Sequence, residues 1–326
     1  VSTGDVAVVG EMSGNAITEK YNSRGQRQWF AVEPDHPADT VAWLVGLDDS
    51  RRATVGALRF NPPSLPDLLL LRVGQDGSLI HARAEVPSVD SPAMAVARDG
   101  RVAVTPRSWP SSSLSMFSTD DVLLWTVGGL AGEAFVAPAF DSAGRIAVLV
   151  NDSSGQSSDV AVVYYDSEGG RVSKYQIQTP YGYRAHTFSV GPDDRIAVWL
   201  WGSSGHLLVV LDRNGAPIWR VTPPTQAGET PADLGFDRNG NIIALTRSYD
   251  GSFRLFKYSG DGTLVWERRY ATADRWVVST SLAVALDGTI VVTGATGEWP
   301  LPFGMGVPTT SSLETWPNGV LAERFL

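Results

Sequence analysis

Histidine, acidic and hydroxyl side chains are the groups in this chain that could do chemistry, and their spacing matches no common active-site constellation. The four histidines, His36, His81, His186 and His206, show no His-x-x-x-His spacing and no metalloprotease pattern, so a zinc site would have to gather ligands from distant segments. His81 stands where related segments carry Trp and is expected to be structural. Cysteine is absent, which removes thiolate metal sites, cysteine nucleophiles and disulfides and leaves the redox compartment open. There is no Gly-x-Ser-x-Gly elbow, and Ser and Asp cluster where polar turn chemistry accounts for them. Neither a Gly-x-x-x-x-Gly-Lys-Ser/Thr nor a Gly-x-Gly-x-x-Gly loop occurs, which argues against nucleotide chemistry. The turns Asp141-Ser142-Ala143-Gly144 and Asp237-Arg238-Asn239-Gly240 lack the alternating acidic ladder and distal Glu of a calcium loop. Sialidase-type Asp-boxes set Trp three places beyond Gly, whereas here the interval is four. No catalytic residue, metal ligand or cofactor is therefore expected.

The elements that would position any site follow from internal repetition. A turn followed by a β-branched run occurs at Gly4-Asp5-Val6-Ala7-Val8, Gly100-Arg101-Val102-Ala103-Val104 and Gly144-Arg145-Ile146-Ala147-Val148. It recurs at Asp194-Arg195-Ile196-Ala197-Val198, Gly240-Asn241-Ile242-Ile243-Ala244 and Gly288-Thr289-Ile290-Val291-Val292, with a degenerate copy at Arg52-Ala53-Thr54-Val55. The first apolar residues, at 6, 53, 102, 146, 196, 242 and 290, lie 47, 49, 44, 50, 46 and 48 apart. A second element follows each, in which a polar turn precedes a strand that often carries Trp four places after the turn: Gly25 to Trp29, Asp121 to Trp125, Gly215 to Trp219 and Gly262 to Trp266.

Each unit therefore holds four short strands, a to d, and no segment keeps a helical period over 11 to 18 residues. Runs such as Ile196-Ala197-Val198-Trp199-Leu200-Trp201 are apolar nearly throughout, so both faces of each sheet are expected to be buried. Radial stacking of sheets meets that demand, because each blade covers its neighbours' faces. The expected fold is all-β, a seven-bladed β-propeller of four-stranded antiparallel blades. It is read as a single domain over 1–326, with blades near 1–33, 38–86, 91–128, 133–178, 183–222, 230–270 and 278–326. Blade one starts at its b strand, so its inner strand is expected upstream of Val1, or the blade is three-stranded. Blade seven is expected to run through four strands to Leu326.

The run Asp-x-x-Gly-Asn-Ile-Ile-Ala, followed by Lys257-Tyr258-Ser259-Gly260-Asp261-Gly262-x-x-x-Trp266, resembles the bacterial β-propeller repeats of the SBBP type and, more distantly, Trp-docked PQQ-like repeats. The resemblance spans nearly the whole chain and implies an extracytoplasmic bacterial scaffold or binding module, periplasmic, cell-surface or secreted. Arg51-Arg52-Ala53 and Asp120-Asp121 depart from the usual turn residues. The aligned Trp29, Trp125, Trp219 and Trp266 read as fold residues that pack on the next blade or cover the turn.

In a propeller the a–b and c–d turns share one face and the b–c and d–a connections the other. Here the first set is short and rich in Gly, Asp and Asn, while the second is long, irregular and proline-rich, with the longest loop over 297–310. Variable loops on a rigid scaffold are where binding usually resides. Trp109, Tyr181, Tyr183, Arg184, Trp276 and Trp299 are the expected ligand-binding residues, since aromatic rings and arginine dominate binding energy at surfaces. The expected role is non-enzymatic binding of a protein, peptide or carbohydrate. The rivals are a hydrolase or lyase with an axial site, and a purely structural domain of a larger exported protein.

Charge and hydropathy limit the partners further. The 326 residues carry 26 Lys and Arg against 35 Asp and Glu, a net charge of −9, which disfavours nucleic acid. No run approaches the 18 apolar residues of a membrane-spanning helix, so no transmembrane segment is expected. With 43% hydrophobic residues and this length, a large core can be buried without cross-links.

Overall fold

The computed structural model describes residues 5–12, 15–22, 26–32, 40–59, 65–86, 92–106, 112–152, 159–179, 182–202, 205–271, 275–284, 288–298 and 321–323. All secondary structure in them is β. The first sheet holds β1 (Val6–Met12), β2 (Asn15–Tyr21) and β3 (Arg27–Val32). The second holds β4 (Thr40–Leu47), β5 (Ala53–Arg59), β6 (Asp67–Val73) and β7 (Leu79–Val86). The third holds β8 (Ala93–Val96), β9 (Val102–Thr105), β10 (Ser113–Phe117) and β11 (Leu123–Gly128). The fourth holds β12 (Glu133–Phe140), β13 (Ile146–Asp152), β14 (Asp159–Tyr165) and β15 (Arg171–Ile177). The fifth holds β16 (Arg184–Val190), β17 (Ile196–Gly202), β18 (Gly205–Leu211) and β19 (Pro217–Val221). The sixth holds β20 (Glu229–Phe236), β21 (Ile242–Ser248), β22 (Phe253–Tyr258) and β23 (Leu264–Tyr270). The last holds β24 (Arg275–Val284), β25 (Ile290–Glu298) and β26 (Leu321–Glu323). Every sheet is an antiparallel meander in chain order, which short polar turns permit without crossovers.

The expectation of seven four-stranded blades is corrected here. The repeat of the sequence marks b strands, and a b strand does not guarantee an inner strand. Among the described residues six sheets, not seven, set an inner strand on the axis: β4, β8, β12, β16, β20 and β24. Taking a blade as a sheet built on an inner strand, the fold is a six-bladed propeller of mostly four-stranded antiparallel sheets. Five of those blades have four strands and the last has three. The β1–β3 sheet opens at the b position and packs its first two strands against β4.

Burial follows strand position. The b and c strands are apolar on both faces because both faces meet a neighbouring sheet: β5, β13 and β14 are almost wholly buried. The d strands differ from the expected two-sided burial. In β11, β15 and β23 every other residue or more faces solvent, since the outer edge of each blade splays away from its neighbour.

The Asp-rich turns are closed by their own side chains. Asp48, Asp141, Asp212 and Asp237 each accept, through Oδ1, the backbone N–H four residues on, from Arg52, Arg145, Ala216 and Asn241, at 2.8–2.9 Å. A carboxylate that satisfies a turn in this way accounts for the residue without a metal. Arg51, Asp121 and Asp194 adopt φ of 60°, 61° and 62° at turn positions where other blades use glycine. Arg72 holds Asp121 there, with Nε donating to Oδ1 at 2.7 Å.

Trp29, Trp125 and Trp219 of the d strands dock onto the c–d turn of the next sheet. Trp125 Nε1–H donates to the Ser167 carbonyl at 2.7 Å, and Trp219 Nε1–H to the Gly260 carbonyl at 2.9 Å. The indole of Trp219 lies so close to Gly262 that an added Cβ would stand 2.8 Å from it, and Gly262 also has φ of +89°, so the turn tolerates no side chain. Tyr175 takes the same place against Gly215 in a blade that lacks the Trp.

Candidate functional site

Among the described residues, the face with the long connections and the mouth of the axis at the opposite end could each hold a ligand. On the long-connection face, Arg184 is the exposed first residue of β16 and pairs across strands with Trp201 of β17. Trp201 is 48% exposed, and Tyr249, at the equivalent b–c connection of the next blade, is 79% exposed. Trp201 departs from the expectation that its strand is buried on both faces. It ends the strand at the loop face, past the cover of the neighbouring blade, and period alone does not mark that limit.

The other expected binding residues fall differently. Tyr183 is buried in the core cluster between the fourth and fifth sheets that also holds Val160, Ala185 and Leu207. Trp276 lies in β24, opposite Gly297. Trp109, Tyr181 and Trp299 lie outside the described residues, as does most of the 297–310 loop.

Acidic side chains pin this face from within. Glu133 and Glu229 each open an inner strand and are buried. Glu133 accepts from Arg171 at 2.8 Å, from Lys174 at 3.1 Å and from the Leu130 N–H at 3.1 Å. Burial works to raise its carboxyl, but the Arg171, Leu130 and Lys174 hydrogen bonds outweigh it and leave the group below its ordinary value. Glu229 accepts from Arg254 Nη2 at 2.6 Å and Nε at 2.7 Å, and Arg254 also bonds Glu267 and the Pro224 carbonyl. These groups hold the d–a connections in place, and their charges are already used.

At the axis, Asp233 joins three adjacent inner strands. It follows a β-bulge in β20, a break in register that β4, β12, β16 and β24 share. Its Oδ2 accepts from Leu282 N–H at 2.8 Å and Ser281 Oγ at 3.0 Å, its Oδ1 accepts from its neighbour Leu234 N–H at 2.8 Å, and the Thr187 side chain also bonds it. Burial pushes the Asp233 carboxyl above its ordinary value, against the pull of those donors. A carboxyl whose folded pKa is raised contributes stability that is complete below the unfolded value, about 3.9, and is lost as pH rises through the folded value. Urea unfolding of the protein and of Asp233→Asn across that range should therefore show the variant gaining relative stability as pH rises. A difference that does not change with pH would count against the shift.

Below Asp233, at the a–b turn end, the axis opens into a depression of about 670 Å³. It is lined by the C-terminal ends of all six inner strands and by the turns that follow five of them, and the β1–β3 sheet contributes nothing to it. None of its residues is among the expected ligand-binding residues, and in the sequence the turns at 141–144 and 237–240 stand out only for their partial likeness to calcium loops, because convergence of strand ends on an axis is a property of closure. Among the described residues no three His, Cys, Asp or Glu side chains group as metal ligands.

Comparison with known proteins agrees with the architecture. No protein-family model matches the chain, and no curated protein matches it. Among solved structures, a periplasmic gluconolactonase from Pseudomonas aeruginosa superposes with a TM-score of 0.62 at 14% identity, covering 88% of each chain. A streptogramin B lyase superposes with a TM-score of 0.59 at 11% identity, covering 90% of this chain and 91% of its own. A catalytically inactive virginiamycin B lyase from Staphylococcus aureus, solved with quinupristin, gives 0.59 at 12% identity over 90% and 92%. At these identities the likeness shows the fold: the chain is a β-propeller similar in structure to lyase and gluconolactonase propellers, with no sequence family.

Proposed function

We propose that this protein is a non-enzymatic binding module of the bacterial extracytoplasmic space that captures a carbohydrate or peptide on its long-connection face. The observation that carries this reading is the exposed Arg184–Trp201 pair with Tyr249 one blade on. Flat rings stack on sugar rings or apolar peptide side chains at low rotamer cost, and arginine adds a planar hydrogen-bonding fork. Tyr183 supports this surface from below. Trp109, Tyr181, Trp276 and Trp299 belong to the proposed surface by their place in the repeat. The acidic net charge favours neutral or cationic ligands there over polyanions.

A glycan array and a random-peptide library probe the intact protein, and cell fractionation tests its location. Trp201→Ala and Tyr249→Ala should each lose about 2 kcal/mol of affinity for the selected ligand, the scale of a hot-spot aromatic, with the melting temperature nearly unchanged. Retention of full affinity in both variants would overturn the assignment of the face. Turnover of a lactone, glycoside or cyclic depsipeptide, abolished by Asp233→Asn, would favour an axial enzyme instead.

A further inference from the structure

The geometry points to a second ligand site, at the opposite end of the axis, that takes a small organic anion with an apolar body. The depression is floored by a collar of six apolar residues, Leu47, Val96, Phe140, Val190, Phe236 and Val284. Each is the last residue of its inner strand and pairs with the first residue of the following b strand, so one register repeated around the axis builds the collar. A concavity of about 670 Å³ with an apolar floor has the size and lining of sites that enclose small molecules.

The rim decides the charge of the ligand. Most of its ionised groups are already paired. Arg101 Nε donates to Asp99 at 2.8 Å, Asp141 accepts from Arg145 at 2.7 Å, and Asp237 is held by Lys257 at 3.1 Å and by Asn241. Arg98 and Arg238 are different. Both stand in a–b turns at the rim, both are exposed, and neither side chain has an ion-pair partner among the described residues. Their blades are three apart around the ring, so the two guanidinium groups approach the depression from separate sides. Asp49 is the remaining carboxylate without an ion pair among the described lining residues, and Asp194 reaches the lining through Ser142 at 2.6–2.7 Å, so the two arginines act as local forks and not through a net charge of the mouth. Guanidinium forks bind carboxylate or sulfonate oxygens in pairs. An apolar collar below two such forks fits an aryl or alkyl carboxylate or sulfonate, ring down and acid up.

Anilinonaphthalene sulfonate tests this on the full chain, with the uncharged phenylnaphthylamine as its comparison. The sulfonate should bind at a single site with enhanced, blue-shifted emission, and more tightly than the uncharged dye. Arg98→Gln and Arg238→Gln, both at exposed positions, should each weaken it by roughly threefold and together by roughly tenfold, with rising salt acting in the same direction. Val190→Trp, which fills the collar, should abolish binding. If that variant fails to fold, the double arginine variant decides. Trp201→Ala should leave the dye affinity unchanged, which separates this site from the face proposed above. Equal binding of the two dyes, many equivalent sites, or a double arginine variant within twofold of the parent would overturn the proposal.

Discussion

Trp29→Ala should destabilise the protein by about 3–5 kcal/mol, the range for truncating a buried aromatic. Trp29 is 9% exposed although it belongs to an outer strand, because its indole lies on the turn of the next sheet at Gly77, where an added Cβ would meet it at 3.0 Å. It joins a core cluster with Val55, Leu71 and Val73 of that sheet. Removing it opens a cavity between two sheets that share no backbone–backbone hydrogen bond among the described residues, so side chains join them, through this packing and the Lys20 Nζ bond to the Arg51 carbonyl. Urea unfolding measures the effect. A loss under about 1 kcal/mol would mean that the docked indole contributes little beyond surface contact. Gly262→Ala probes the equivalent joint between the fifth and sixth sheets from the turn side, since a methyl there strains the backbone and pushes on Trp219.

Arg254→Met should cost roughly 3–5 kcal/mol, because it leaves the Glu229 carboxylate buried without its partner. Arg254 and Glu229 are 4% and 6% exposed, joined by two hydrogen bonds, and Arg254 also ties down Glu267 and the Pro224 carbonyl. Arg254→Met combined with Glu229→Gln should recover a large part of that loss. The glutamine oxygen can still accept the Gln226 N–H that Glu229 now holds at 3.2 Å, and no buried charge remains. Chemical denaturation of the single and double variants measures the coupling. A double variant no better than Arg254→Met alone would show that the packing of the arginine, not the buried charge, carries the effect.

The strands and their order were legible because their signals are local. β-branched runs with Asp and Gly turns specify antiparallel meanders, and the unit length of about 47 residues specifies four strands to a unit. The d-strand Trp spacing likewise marks a docking residue, since Trp29, Trp125 and Trp219 each meet the same kind of turn. Tyr175 shows the limit of that rule: it performs the docking with neither the residue type nor the spacing, six places after the turn glycine Gly169.

Where a strand stops being covered was not legible. Trp199 is fully buried and Trp201, two residues along the same side of the same strand, is 48% exposed. Alternation places both rings on one face of the sheet, and only the height of the adjacent blade decides which of them meets solvent. Tyr183 and Arg184 are neighbours in sequence, yet one fills the core and the other reaches water.

The sequence by itself determined the all-β character, the antiparallel blades, the turn chemistry and the docking tryptophans, because each depends on residues within one repeat or on one contact made alike in every repeat. The tertiary structure alone decided how many sheets reach the axis, which loop aromatics are exposed, and that six strand ends converge on an apolar collar beneath two arginines without ion-pair partners among the described residues. Those features depend on how the blades close around a common axis, and closure brings together strand ends that lie 44 or more positions apart and share no local pattern.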